Sequence, residues 1–331
     1  MMMKTVAFKK DSRNVFFHIL TQCNLSCSHC YINPKLHGTN QLSFETITIW
    51  LTQLYKQNTN LILLGGEPTL RTDLPDIVKY ARKIGYSSIT IDTNGFLFFD
   101  FLSRISNQDI DFISFSLDGS TSDINDHIRG DGTFKQCISG IKNSISKGFN
   151  TSLIYTVSNY NINDLKNIPD LLNALKIKRF FIQVIGIRGQ MAKQTGSEIQ
   201  VKYEKWLSIV PNIAKQIADM GITVTYPKVF LEKNEIFSCS GLNADNYFVF
   251  PNGRVYRCPL CEDFPLNSLK FENNELIETS KINEKDLFNL NISEGCVMNK
   301  LIQPDNITYQ SDGLPVNKIA CCLLKEEIKV N

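Results

Sequence analysis

Three cysteines fall within eight residues, at Cys23, Cys27 and Cys30, in the run Cys-Asn-Leu-Ser-Cys-Ser-His-Cys. The C-x3-C-x2-C spacing offers three thiolates from one short loop. Structural zinc closes its shell with four ligands, and an iron–sulfur cube takes four cysteines. A loop that supplies three leaves one metal corner to something other than protein. Two other readings stand beside this one. One is a zinc knuckle completed by His29 or His37; the other is three core cysteines brought together by chance.

The elements around the loop bear on the choice. Residues 14–20 (Asn-Val-Phe-Phe-His-Ile-Leu) form a nearly continuous apolar run, the pattern of a strand buried on both faces. The cysteine loop follows directly. A second apolar run, 61–64, ends in Gly65-Gly66-Glu67-Pro68. The two motifs in this order, each at a strand end, resemble the radical S-adenosylmethionine (SAM) superfamily, with its C-x3-C-x2-C cluster motif and its GGE(P) motif. The resemblance covers most of the first 225 residues.

Composition sets the class. The chain has 331 residues, 43% of them apolar, and a net charge of +2. That is enough for one large domain and a small appended one. The charge gives no reason to expect nucleic acid or an anionic membrane as partner. Residues 1–10 lack the apolar core of a signal peptide, and no run approaches a bilayer span. Ten cysteines without a secretion signal point to a cytoplasmic protein whose thiols serve metal or catalysis rather than disulfides.

Helical and strand patterns alternate along the chain. Ser43 caps a helix expected to reach about residue 57, with Ile47, Trp50, Leu51 and Leu54 on one face. Strand 61–64, a helix over 74–84 stopped by Gly85, and strand 87–92 follow. Then come a helix over 98–106, strand 111–117, a helix marked by Phe134, Ile138, Ile141 and Ile145, strand 151–157, a helix over 162–175 and strand 179–185. Six strand–helix pairs with right-handed crossovers predict an α/β fold with a parallel, barrel-like sheet. The resemblance makes it a partial (β/α)6 TIM-like barrel over residues 1–226, followed by a small cysteine-rich extension over 227–331.

In parallel barrels the chemistry gathers at the C-terminal ends of the strands. The cysteine loop, Gly65–Glu67, Asn94, Ser116 and Asp118, and Ser158 and Asn159 all fall there in this reading. Gly65 and Gly66 lack a Cβ and let the backbone approach a ligand closely. The resemblance implies the remaining roles. Cys23, Cys27 and Cys30 hold a [4Fe–4S] cluster whose free iron binds SAM, and Glu67 accepts a hydrogen bond from the SAM amine. His29 stands where relatives carry an aromatic against adenine. Asn94, Ser116 and Asp118 lie at cofactor-binding positions, the latter two near ribose or the methionine end. Arg129 matches an arginine that binds the SAM carboxylate, a role suited to a planar guanidinium. Cys137, on the apolar face of its helix, belongs to the core.

After Tyr226 the alternation stops and six cysteines follow: Cys239, Cys258, Cys261, Cys296, Cys321 and Cys322. Residues 248–258 read as a hairpin turning at Pro251-Asn252-Gly253. The C-x13-G-x4-C pattern from Cys239 to Cys258 resembles the opening of the SPASM and Twitch extensions, which bind auxiliary iron–sulfur clusters. Two fully thiolate-ligated clusters need eight cysteines, and six are present. One auxiliary [4Fe–4S] cluster is expected, on Cys239, Cys258, Cys296 and either Cys321 or Cys322. Cys261 is then a spare thiol able to donate a hydrogen atom to a substrate radical. A zinc ribbon using Cys258 and Cys261 is the alternative.

The resemblance implies reductive cleavage of SAM to a 5′-deoxyadenosyl radical that abstracts a substrate hydrogen. The expected substrate is a ribosomal peptide or protein side chain that is crosslinked, oxidised or epimerised. Oxidation of a small molecule such as an aminosugar or a tetrapyrrole is the alternative, and a non-catalytic metal-binding protein is the alternative of another class. Little chain precedes the first strand, so a peptide substrate is expected to need a separate leader-binding protein or the barrel surface itself. An electron donor such as flavodoxin or ferredoxin completes the partners.

Overall fold

The computed structural model describes residues 1–9, 11–39, 41–189 and 196–329. Its strands are β1 (Met2–Val6), β2 (Arg13–His18), β3 (Thr59–Leu64), β4 (Ser88–Thr93), β5 (Phe112–Ser116), β6 (Thr151–Val157), β7 (Arg179–Val184), β8 (Thr223–Pro227), β9 (Phe230–Leu231), β10 (Asp245–Val249), β11 (Arg254–Tyr256), β12 (Leu269–Glu272), β13 (Glu275–Glu278), β14 (Lys318–Ile319) and β15 (Lys325–Lys329). Thirteen form one sheet in the order β1-β15-β8-β7-β6-β5-β4-β3-β2-β10-β11-β12-β13. From β10 through β2 and on to β8, every neighbouring pair is parallel. The six expected strands are β2 to β7, and the parallel barrel-like sheet is present.

Alternation along these strands separates two faces. Val15, Phe17, Leu61, Leu63, Ile89, Ile91, Ile113, Phe115, Leu153 and Phe180 are fully buried, as expected beneath a layer of helices. Their half-buried neighbours Phe16, Ile62, Asp92, Ser116, Ile154 and Phe181 point the other way, into the hollow of the sheet. On that hollow face Phe16 stacks on Phe248 of β10, with ring centroids 4.6 Å apart. Below this pair Asn60 donates to Asn14, and Asn14 to Asn246, across three strands.

The helices follow local signals. The Ser43 hydroxyl accepts the Thr46 N–H at 3.0 Å and starts helix Phe44–Leu54, which ends three residues before the expected limit. Helix Leu74–Ile84 stops at Gly85, whose φ of +104° is open to glycine at little cost. Two expectations shorten. The helix over 98–106 is only Phe101–Arg104, and that over 162–175 divides into a 3-10 turn and helix Ile168–Ala174, with Pro169 in its first turn. A seventh strand–helix unit was not foreseen. Helix Tyr203–Asp219 carries Pro211 inside it and leads into β8; an internal proline ordinarily reads as a helix end.

The extension is woven into the sheet at both edges. β10 and β11 form the expected hairpin about Gly253, and β10 lies parallel beside β2. At the opposite edge β15 pairs antiparallel with β8, and β1 covers β15. Trp50 stacks on Phe271 of β12 at 4.1 Å and donates its N–H to Asn274, fixing the extension to the helix layer.

Candidate metal and cofactor site

The cysteine loop leaves the end of β2 and is held from two sides. At its start the N–H groups of Gly66 and Glu67 donate to the carbonyls of Leu20 and Gln22, at 3.0 and 2.9 Å. Farther along, the Ser28 N–H donates to the Ile128 carbonyl at 2.8 Å. A Cβ on Gly65 would lie 2.3 Å from the Leu20 carbonyl oxygen, and one on Gly66 would lie 2.1 Å from that of Gln22. The glycines thus permit close approach to the root of the cysteine loop.

Glu67 is also committed within the protein. Its carboxylate is fully buried. One oxygen accepts from the Thr69 N–H (3.0 Å), the Thr69 hydroxyl (2.5 Å) and the Thr93 hydroxyl (2.8 Å); the other accepts the Asn94 N–H at 2.8 Å. Burial pushes its pKa up against these hydrogen bonds. Four protein donors occupy the group expected to face the SAM amine. Asn94 turns toward the loop, donating to the Asn24 side-chain oxygen at 2.8 Å and reaching the Cys23 sulfur at 3.9 Å. Sequence reasoning missed Thr69, Thr93 and Asn24. A signal for Thr69 existed, since Glu67 before Pro68 is an N-cap followed by proline in the first turn.

A second group forms around Asp118, fully buried at the end of β5. One carboxylate oxygen accepts from Arg129 Nε at 2.6 Å and lies 3.2 Å from His29 Nε2; the other accepts the Thr156 N–H at 2.7 Å. Three contacts within the protein thus hold the Asp118 carboxylate, the group expected near ribose or the methionine end. Arg129 spends Nε on Asp118, while its terminal nitrogens make no hydrogen bond among the described residues. Burial holds the His29 pKa down to about 4, so the ring is neutral. A carboxylate only accepts, so Nε2 carries the proton. Nδ1 is then a buried acceptor with no partner among the described residues. The Ser116 hydroxyl also makes no hydrogen bond among them, and Cys137 is buried as core, its thiol 3.6 Å from the Ser116 carbonyl.

These positions test the zinc knuckle. His29 is turned to Asp118. His37 is fully buried, with Nδ1 accepting the Asn33 N–H and Nε2 donating to the Glu262 carbonyl, both at 3.1 Å. Neither histidine completes the cysteine shell. The three thiols remain free, Cys23 exposed and Cys27 and Cys30 half-buried, with burial raising the pKa of each. Three free thiols, an orphaned imidazole nitrogen and a guanidinium with open donors suit a cluster carrying a polar, carboxylate-bearing ligand.

In the extension, Cys239, Cys258, Cys296 and Cys321 line one small pocket, walled by Phe237, Leu260, Phe288 and Met298. Four thiolates on one zinc stand roughly 4 Å apart. Among the described residues no group of three His, Cys, Asp or Glu side chains is placed to hold a single metal ion. Cys322 lies outside this lining, and the Cys321 thiol donates to the Ser240 hydroxyl at 3.1 Å. Burial pushes the Cys296 pKa up to about 12. Cys261 is fully buried, its thiol beside that of Cys258.

Residues 18–172 match the family model of the Radical SAM superfamily. The chain is 32% identical over 200 residues to Fe-coproporphyrin III synthase of Methanosarcina barkeri, a match covering 59% of this chain and 50% of that protein. It therefore spans about half the length of that relative. It is 28% identical over 272 residues to a probable GTP 3′,8-cyclase of Saccharolobus solfataricus, covering 78% and 86%. Among solved structures, Streptococcus suis SuiB superposes with a TM-score of 0.69 at 14% identity, over 89% of this chain and 76% of that one. The enzyme anSMEcpe with bound AdoMet superposes with a TM-score of 0.65 at 14% identity, over 92% and 93%. At these identities the superpositions speak for the fold.

Proposed function

We propose, from the premise that this chain belongs to the radical SAM superfamily through residues 18–172, that it oxidises or crosslinks a peptide or protein side chain with the help of an auxiliary cluster. Cys23, Cys27 and Cys30 would hold the SAM-binding cluster, and Cys239, Cys258, Cys296 and Cys321 the auxiliary one. When bound, these groups supply a 5′-deoxyadenosyl radical for hydrogen abstraction and a second redox centre. Everything else falls to the protein. Arg129 offers its open terminal nitrogens to the SAM carboxylate, His29 offers Nδ1 as acceptor, and Glu67 and Asp118 hold the loops that present them.

The observation that carries this reading is the second set of thiols. Four cysteines gather about one cavity in a domain woven into the barrel sheet, apart from the loop that serves SAM. Support for a peptide comes from SuiB, solved with its precursor peptide SuiA, and from anSMEcpe, solved with the Cp18Cys peptide. A second reading, oxidation of a tetrapyrrole, draws on the M. barkeri relative. The work would take place in the cytoplasm, with a flavodoxin or ferredoxin as donor and a separate leader-binding protein for a ribosomal peptide. Among the described residues no helix is long and apolar enough to cross a membrane.

The test is turnover. Reconstituted anaerobically with SAM and reductant, the protein should form 5′-deoxyadenosine faster when its substrate is present, with a matching mass change in that substrate. Candidate peptides and iron-coproporphyrin III are assayed in parallel. A mass change confined to the porphyrin would replace the peptide reading with the second one.

A further inference from the structure

β15 leaves the cysteine cavity and returns along the sheet edge, where Lys325 stands opposite Pro227 and Glu327 opposite Thr225. Thr225 in turn stands opposite Phe181 of β7. Lys325 therefore shares the hollow face with Phe181, and its ammonium nitrogen lies 5.9 Å from the Phe181 ring centroid. On the same face β4 carries Asp92, which lies close enough to feel the lysine charge. Asp92 adjoins Thr93 and Asn94 at the Glu67 group, whereas Lys325 adjoins the Cys321–Cys322 turn.

Lys325 is half-buried, and the groups whose charge acts on it are Cys322, Asp92 and Glu327. The carboxylates on its own strand serve other groups: Glu326 accepts the Thr5 hydroxyl at 2.7 Å, and Glu327 pairs with Lys329 at 3.1 Å. The Lys325 ammonium makes no ion pair or hydrogen bond among the described residues. Burial lowers its pKa, and burial raises that of Asp92 to about 7, so Asp92 is an incomplete counter-charge near neutrality. A half-buried ammonium that lacks a fixed anion carries part of its desolvation cost uncompensated. The Phe181 ring, at the outer limit of cation–π contact, offsets little of that cost.

The geometry points to Lys325 as the residue that binds a carboxylate of the substrate within the hollow of the sheet. This inference rests on the reading of that hollow as the substrate space of a radical SAM enzyme. An acidic peptide side chain and a tetrapyrrole propionate share the chemistry, and Asp92 disfavours placing a second anion on the β4 side.

Calorimetry on the reconstituted full-length protein with SAM tests it. The probes are acetyl-Gly-Glu-Gly-amide with its glutamine counterpart, and iron-coproporphyrin III with its tetramethyl ester. One carboxylate probe should bind, and Lys325→Gln should weaken it by about ten- to a hundredfold, as for loss of a charged hydrogen bond. Lys325→Arg should keep most of the affinity, and the neutral counterparts should not distinguish wild type from Lys325→Gln. The arm that binds identifies the source of the carboxylate. Binding unchanged in Lys325→Gln, equal loss in Lys325→Arg, or no binding of either acid would overturn the inference. Substrate-free formation of 5′-deoxyadenosine by the wild-type protein reads the parent proposal separately.

Discussion

Glu67 accepts the backbone N–H of Asn94 at 2.8 Å, and Asn94 in turn donates to Asn24 inside the cysteine loop. The carboxylate of the second motif thus reaches the first motif through the end of β4. Replacing Glu67 with alanine would leave buried donors on Thr69, Thr93 and Asn94 unpaired, each at about 1–3 kcal/mol. Glu67→Ala should lower the urea midpoint of the apoprotein markedly and reduce both SAM affinity and iron retained by the loop. Normal stability and iron with weaker SAM binding would instead restore Glu67 as a direct ligand of the SAM amine.

Gly66→Ala places a methyl group 2.1 Å from the Gln22 carbonyl oxygen, with the Thr21 oxygen only 2.6 Å away. Backbone rather than a flexible side chain must yield. Overpacking of this kind costs about 1–3 kcal/mol, and here the displaced segment is the root of Cys23. Iron bound by the loop should fall, as counted in a variant with Cys258→Ala to remove the auxiliary site. Unchanged iron would show that the loop tolerates a shifted root.

Asp118 holds Arg129 and His29 together, so Asp118→Asn leaves a largely buried guanidinium without its anion. Breaking a buried pair from one side costs about 3–5 kcal/mol. Thermal unfolding should shift down strongly in Asp118→Asn. SAM affinity should fall as well, because Arg129 loses the contact that aims it. A stable variant with intact SAM binding would contradict this account of the Asp118 group.

Much of this was legible in the sequence, and the limits have a physical pattern. Hydrophobic alternation placed β2 to β7, and Gly85 and Ser43 marked helix ends, because those signals lie within a few residues of what they determine. The partners of Glu67 and Asp118 were not legible. Thr93 lies 26 residues from Glu67, and Thr156 lies 38 from Asp118; only the register of neighbouring parallel strands brings them together. For the same reason β10 beside β2, and β15 beside β8, could not be read from local pattern. The choice of Cys321 over Cys322 also needed the turn to be seen, since adjacent residues share every sequence signal but face different sides.

His37 gives a pH test. Burial holds its folded pKa near 4, whereas the unfolded chain titrates near 6.5. Between these values the unfolded state binds the proton and the folded state does not, so His37 contributes a loss of stability as pH falls from 6.5 toward 4, up to about 3 kcal/mol. Above pH 6.5 the contribution is absent. Urea unfolding of apoprotein at pH 7.5 and pH 4.5 should show a smaller difference in His37→Gln than in wild type. Equal differences would mean that His37 is protonated in the fold.

The auxiliary site is tested by metal content. With Cys23, Cys27 and Cys30 all replaced by alanine, anaerobic reconstitution should leave about four irons per chain. That iron should be lost on Cys258→Ala or Cys321→Ala and kept on Cys261→Ala or Cys322→Ala. Roughly one zinc and no sulfide would establish a zinc ribbon, and about eight irons would require a second auxiliary cluster.

The central claim is that the Cys23–Cys30 loop directs the cleavage of SAM. Its most direct measurement is chromatographic detection of 5′-deoxyadenosine from the reconstituted protein given SAM and a strong reductant under anaerobic conditions. Wild type should form it, and Cys27→Ala should not, though its auxiliary iron is retained. Wild-type protein carrying full iron at the loop and yielding no 5′-deoxyadenosine, or Cys27→Ala yielding as much as wild type, would contradict the account.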